Sequence, residues 1–133
     1  MCLFARLLYA SHMRYMKVRE AARGRTVAEM VGVAETPSSR RRGLLGTDAL
    51  PEDAGLLILP CRQVHTFGMR YPIDAVFLDG EYRVVRVAGS LKPRRFSPLV
   101  WRAKAVLELP AGRAERVGIA VGDQLEFAPL RAC

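Results

Sequence analysis

Histidine and cysteine are scarce in this chain of 133 residues, which has two of the former and three of the latter. Cys2, Cys61 and Cys133 are odd in number and widely spaced, and two of them sit at the termini. That spacing does not make a disulfide framework, and it suits a reducing compartment, so a cytoplasmic location is expected, with a secreted or envelope-associated one as the alternative. There is no Cys-x-x-Cys pair. Cys61 and His65 would supply two ligands where a closed zinc site needs four, so no metal is expected. No Gly-x-Gly-x-x-Gly and no P-loop occurs, which removes the usual signatures of nucleotide and dinucleotide binding; no cofactor is expected. The Gly-x-Ser-x-Gly elbow of serine acyl transfer is missing too. No apolar run approaches the roughly 20 residues of a membrane span. The apolar stretch 2–10 is interrupted by Arg6, lacks a basic leader and ends in a poor cleavage site. Met13 and Met16 are alternative starts, and Ser11-His12-Met13 resembles a cloning scar. Residues 1–15 are therefore read as an N-terminal extension, and 16–133 as a single β domain.

Acids are outnumbered as well: 13 Asp and Glu stand against 21 Lys and Arg, a formal net charge of +8. From Tyr82 to Leu107 the basic residues are Arg83, Arg86, Lys92, Arg94, Arg95, Arg102 and Lys104, with no acid among them. Such a field can attract nucleic acid, anionic lipid or a small anion. No nucleic-acid motif accompanies it, so an Arg-rich solvated surface is the plainer reading.

Half of the chain is hydrophobic, enough for a core without disulfides or metals. Residues 25–34 read as a strand. Thr36-Pro37 is a helix start, with Thr as N-cap and Pro in the first turn, and the helix is expected to stop near Gly46. The apolar run 55–59 reads as a buried strand, and 63–67 as a further one. Residues 73–78 are apolar on both alternating faces, which predicts a central strand. Asp79-Gly80 is a hairpin turn with 82–87 as the returning partner. Residues 103–109 read as a further strand, and 121–127 as a Gly122-Asp123 turn with the last strand. A short helix over 111–117 is closed by Gly118. About seven short strands and two short helices predict a mostly β domain, a β-sandwich or partly closed barrel.

The densest segment for chemistry is His65-Thr66-Phe67-Gly68-Met69-Arg70-Tyr71-Pro72-Ile73-Asp74. Gly68 and Pro72 bracket a loop tip held by flanking strands, a common way to present binding residues. Asp74 lies in an apolar strand, where a carboxylate costs several kcal/mol unless paired or hydrogen-bonded. It is either an internal clamp accepting loop amides or pairing with an arginine of 40–42, or a carboxylate beside His65 in a pocket. His65 is the histidine that general acid–base chemistry could use, or a hydrogen-bonded structural residue. Arg40 begins a basic helix edge that could hold a carboxylate or phosphate. Glu108, between Leu107 and Leu109, is expected to face away from the core, exposed or paired with a nearby cation. The candidate ligand-binding residues are Arg40, His65, Thr66, Met69, Arg70 and Asp74.

Three blocks, taken together, resemble one family. They are Arg40-x-x-Gly43-Leu44-Leu45, then His65-Thr66-x-Gly68-Met69-x-x-Pro72-Ile73-Asp74-x-x-Phe77-x-Asp79, then Val106-Leu107-Glu108-Leu109-x-Ala111-Gly112 with Gly118-Ile119-x-x-Gly122-Asp123. In this order they look like the bacterial and archaeal family called domain of unknown function 192, over about residues 25–128. The resemblance implies a compact β-sandwich-like domain and no established reaction. This chain departs from the family in its central loop: relatives often carry Trp-Met-Lys-Asn-Thr, where it has Phe67-Gly68-Met69-Arg70-Tyr71. Lacking a complete catalytic set, the chain is expected to be a non-catalytic module that binds a small ligand, an anionic one among the candidates, or a protein partner. The alternatives are a small hydrolase or isomerase using His65 and Asp74 as acid and base, and anionic-surface or nucleic-acid binding through Arg83–Lys104.

Overall fold

The computed structural model describes residues 13–130. Cys2, Cys133, the 2–10 stretch and most of the 1–15 extension lie outside the described residues. The elements are β1 (Arg14–Glu20), β2 (Thr26–Ala34), α1 (Pro37–Arg42), β3 (Ala54–Ile58), β4 (Ile73–Leu78), β5 (Val84–Leu91), β6 (Ala105–Pro110), α2 (Arg113–Val117) and β7 (Leu125–Pro129). All seven strands form one sheet in the order β5-β4-β6-β3-β2-β1-β7. Arg83, just before β5, bridges Gln124, just before β7. The two outermost strands are thereby brought back towards each other, and the sheet is a half-barrel, the partly closed form expected for a mostly β chain.

Local chemistry sets several boundaries. Thr36 Oγ1 accepts from the Ser39 amide at 3.1 Å, and Ser39 Oγ accepts from the Thr36 amide at 3.0 Å, a reciprocal cap with Pro37 opening α1. Gly43 then ends the helix at φ 49, three residues before Gly46. At the hairpin, Asp79 Oδ1 accepts from the amides of Glu81 and Arg83 at 2.9 and 3.0 Å. Gly118 closes α2 at φ 82, as its position predicts.

Other expectations need correction. Residues 63–67 form no strand; they meet the 94–97 segment through one isolated bridge, His65 to Phe96, and a few backbone hydrogen bonds. β1 was not expected, because four of its seven residues are charged and mask the alternation. β7 begins at Leu125, directly after the Gly122-Asp123 turn, and runs to Pro129, two residues beyond the expected end.

The sheet buries both faces, and side chains alternate between them. Inside the curl, Val31, Leu57, Val76, Leu107, Leu109 and Leu125 pack with Ala114 and Val117 of α2. On the outer face, Leu56, Ile58, Ala75, Phe77 and Val106 pack under Leu44, Val64 and Met69. Topology explains the outer cover. β2 and β3 are parallel neighbours, so residues 35–53, including α1, must cross over the sheet between them. β6 lies between β3 and β4 and is antiparallel to both, so the 59–72 connection must also pass over β6. Two connections therefore cover the outer face of β6 where a second sheet would stand in a sandwich.

Candidate functional site

The covering is not continuous. Between α1, the 59–72 connection and β6 lies a cavity of about 380 Å³. Its basic side is Arg40, Arg41 and Arg42, its apolar wall Leu44, Leu45, Val64 and Met69, and its far side Pro60, Cys61, Gln63 and His65. Ile58 and Glu108 form the base.

Glu108 is the residue that sequence reasoning missed. It does face away from Leu107 and Leu109, as its position in the alternation requires. The opposite face is buried, however, and Glu108 is 3 % exposed. Its neighbours across β6 are Leu56 and Ala75, both apolar. No hydrogen bond or ion pair from another described residue reaches its carboxyl, and burial pushes its pKa up from the ordinary 4.5 to about 8. It is therefore a carboxylic acid held mainly neutral at pH 7, with a proton to donate. Its charge, when present, is felt by Cys61 and Tyr71, and burial is the larger cause that holds both of those groups above their ordinary values. The signal available in sequence was a lone glutamate in the apolar run 105–109.

The candidate residues divide between the cavity and the scaffold. Arg40 lines the cavity; its Nη1 donates to the Pro60 carbonyl at 3.4 Å, and its Nε is buried without a partner among the described residues. His65 lines it too, and its Nδ1 accepts from the Phe67 amide at 3.3 Å, which leaves Nε2 as the proton-bearing nitrogen of a neutral ring. Met69 is a buried part of the wall. Arg70 is exposed and paired with Asp48, outside the cavity. Thr66 is fully buried: its hydroxyl donates to the Lys92 carbonyl at 2.5 Å and accepts from the Arg95 amide at 2.9 Å, pinning the 92–95 loop. Tyr71, expected at a loop tip, is half-buried and its hydroxyl meets Thr47 Oγ1 at 2.7 Å.

Asp74 corrects the proposed His65–Asp74 acid–base pair. Its strand neighbours Ile73 and Ala75 belong to the outer core, so alternation turns Asp74 inward, away from the cavity. There Oδ1 accepts from the amides of Ser90 (2.7 Å) and Gly112 (3.0 Å), and Oδ2 from Ala114 (2.9 Å). It is the internal clamp of the two alternatives, though the amides come from the β5 bulge and the start of α2 rather than from an arginine. Ser90 takes φ 51 at that bulge.

Among the described residues no group of three or more His, Cys, Asp or Glu could hold a metal ion, and no helix is long and apolar enough to cross a membrane.

The family model described as "Uncharacterized ACR", the domain of unknown function 192, matches residues 18–127. The chain belongs to this family. Its curated relatives include UPF0127 proteins of Pyrococcus horikoshii, 33% identical over 73% of this chain and 86% of that protein, and of Thermococcus sibiricus, 30% identical over 79% and 70%. Among solved structures, a protein of unknown function from Novosphingobium aromaticivorans DSM 12444 shares the fold at TM-score 0.70 and 23% identity, over 86% of this chain and 84% of that one. A protein of Sinorhizobium meliloti 1021 assigned to transcription regulation matches at TM-score 0.72 and 26% identity, over 86% and 93%. The family carries no established reaction or ligand.

Proposed function

We propose that the chain is a binding module for a small organic anion, held in the cavity between α1 and the 59–72 connection. The observation that carries this reading is Glu108: a buried carboxyl that no other described residue hydrogen-bonds or pairs with, at the base of a cavity edged by three arginines. A neutral carboxylic acid in an apolar site is a hydrogen-bond donor, and with a guanidinium fork it makes a paired cradle for a carboxylate or phosphate. Leu44, Leu45, Val64 and Met69 would hold the ligand's apolar body. The volume falls within the range of small-molecule sites.

Calorimetric titration with benzoate, octanoate and phenyl phosphate tests it. Binding is expected at neutral pH, weakening as pH rises through about 8, where the ionised Glu108 would repel the anion. Arg40→Ala should weaken it further. Equal affinity for benzamide, or affinity unchanged from pH 6 to 9, would sink the anion reading.

A second reading rests on the same carboxyl. A perturbed acid in a cavity that an imidazole also lines makes a candidate acid–base set, with Glu108 and His65 in the roles first expected of His65 and Asp74. Turnover of an ester or an isomerisable keto acid, abolished in Glu108→Gln, would favour it over simple binding.

A further inference from the structure

Outside the cavity, large apolar side chains are concentrated in one place. Among the described residues the exposed ones are Phe67, Phe96, Leu99, Trp101 and Val121, and the first four lie in the connections 59–72 and 92–104. Trp101 is 72% exposed and Phe96 66%. These connections run side by side as one surface: the Thr66 amide donates to Arg95, Ser97 to Val64 and Val100 to Arg62. Thr66 pins the turn from beneath, and Arg94 is held at φ 64. The face is thus built rather than loose. Between the aromatics stand Arg62, Arg94, Arg95 and Arg102, all exposed, and neither connection contains an acid.

We propose that this face docks on an anionic lipid bilayer. Tryptophan and phenylalanine seated at headgroup depth, with cations among them, are the chemistry of interfacial anchoring. Charge complementarity selects this occupant over a second copy of the chain, since two such faces would bring arginines against arginines with no carboxylate between them. The rings also argue against a nucleic-acid stacking surface. Phe67 and Phe96 meet edge to face with centroids 5.1 Å apart, and Phe96 meets His65 in the same manner at 6.2 Å. Leu99 adds aliphatic area that stacking does not use.

Trp101 is the chain's single tryptophan, so its emission reports this face directly. The experiment follows its fluorescence and the protein's co-sedimentation with vesicles of phosphatidylcholine alone, and of phosphatidylcholine with phosphatidylglycerol at roughly two to one. A blue shift and co-sedimentation are expected with the anionic vesicles only, with Trp101 quenched by brominated acyl chains. Arg94→Gln with Arg95→Gln should weaken partitioning about thirtyfold. Phe96→Ser with Leu99→Ser should remove the blue shift while the thermal midpoint, which these exposed positions do not set, stays unchanged. Glu108→Gln should bind vesicles as the parent does, which separates this surface from the cavity. The proposal is overturned by any of four results: no binding to anionic vesicles, binding indifferent to both double variants, a blue shift that follows protein concentration without lipid, or a shift with poly(U) or duplex DNA and none with vesicles.

Discussion

Replacing Glu108 by Gln should remove a pH-dependent loss of stability. In the unfolded chain this carboxyl titrates near its ordinary 4.5, and in the fold near about 8, because burial beside Leu56 and Ala75 disfavours its charge. Below the lower value both states hold the proton and the residue imposes no ionisation cost. Between the two values the unfolded chain releases its proton and the fold keeps it, so stability falls by about 1.4 kcal/mol for each pH unit gained. Above about 8 the fold is ionised too and the loss levels off at about 5 kcal/mol, an order-of-magnitude figure. No solvent screening reduces it much, since the residue is 3 % exposed. Glutamine has nearly the same shape and does not titrate. It adds a buried amide that shifts the whole curve by a constant, so the slope is the quantity to compare. Urea denaturation of parent and variant at intervals from pH 4 to 9 would measure it. The difference in unfolding free energy should be flat near pH 4, grow between about pH 5 and 8, and flatten again. A difference independent of pH across that window would refute the buried, unpaired carboxyl, and with it the basis for the proposed ligand.

Asp74→Ala should cost about 3–5 kcal/mol, because three amides, that of Ala114 buried and those of Ser90 and Gly112 part-buried, lose one shared acceptor; the urea midpoint reads this, and a cost under 1 kcal/mol would remove Asp74 as the clamp. Thr66→Val should cost about 1–3 kcal/mol and speed hydrogen exchange at the Arg95 amide, which loses its acceptor; unchanged exchange there would show that the loop is held otherwise. Gly55→Ala should destabilise by about 1–3 kcal/mol, since a Cβ there would stand 2.8 Å from the Glu108 carbonyl oxygen of the adjacent strand. Thermal melting at matched pH tests it, and a neutral result would mean that β3 and β6 can part at little cost.

Much of the fold was legible because it depends on neighbours in the chain. The capped start of α1 needs only Thr36, Pro37 and Ser39. The Asp79-Gly80 hairpin needs one carboxylate and two amides within four residues. The doubly apolar run 73–78 announced a strand buried on both faces, and β4 is that strand. Arg40, His65 and Met69 were placed at a site and do line the cavity. Thr66 and Asp74 were legible as unusual polar residues in apolar settings. Their partners were not, since they lie 16 to 40 residues away and belong to loops whose paths no local pattern encodes.

Glu108 marks the same boundary more sharply. Period-two alternation correctly put it opposite Leu107 and Leu109, because successive side chains on any strand point to opposite faces. Whether that opposite face meets water depends on which segments cross it. That follows from the strand order, in which β6 separates β3 from β4 and forces the 59–72 connection over it. Caps, turns, strand periodicity and the excess of positive charge are properties of short stretches of chain, and they were readable in one dimension. The burial of one carboxyl, the inward turn of Asp74 and the gathering of Phe67, Phe96, Leu99 and Trp101 on one surface came only with folding, because each depends on contacts between segments far apart in sequence.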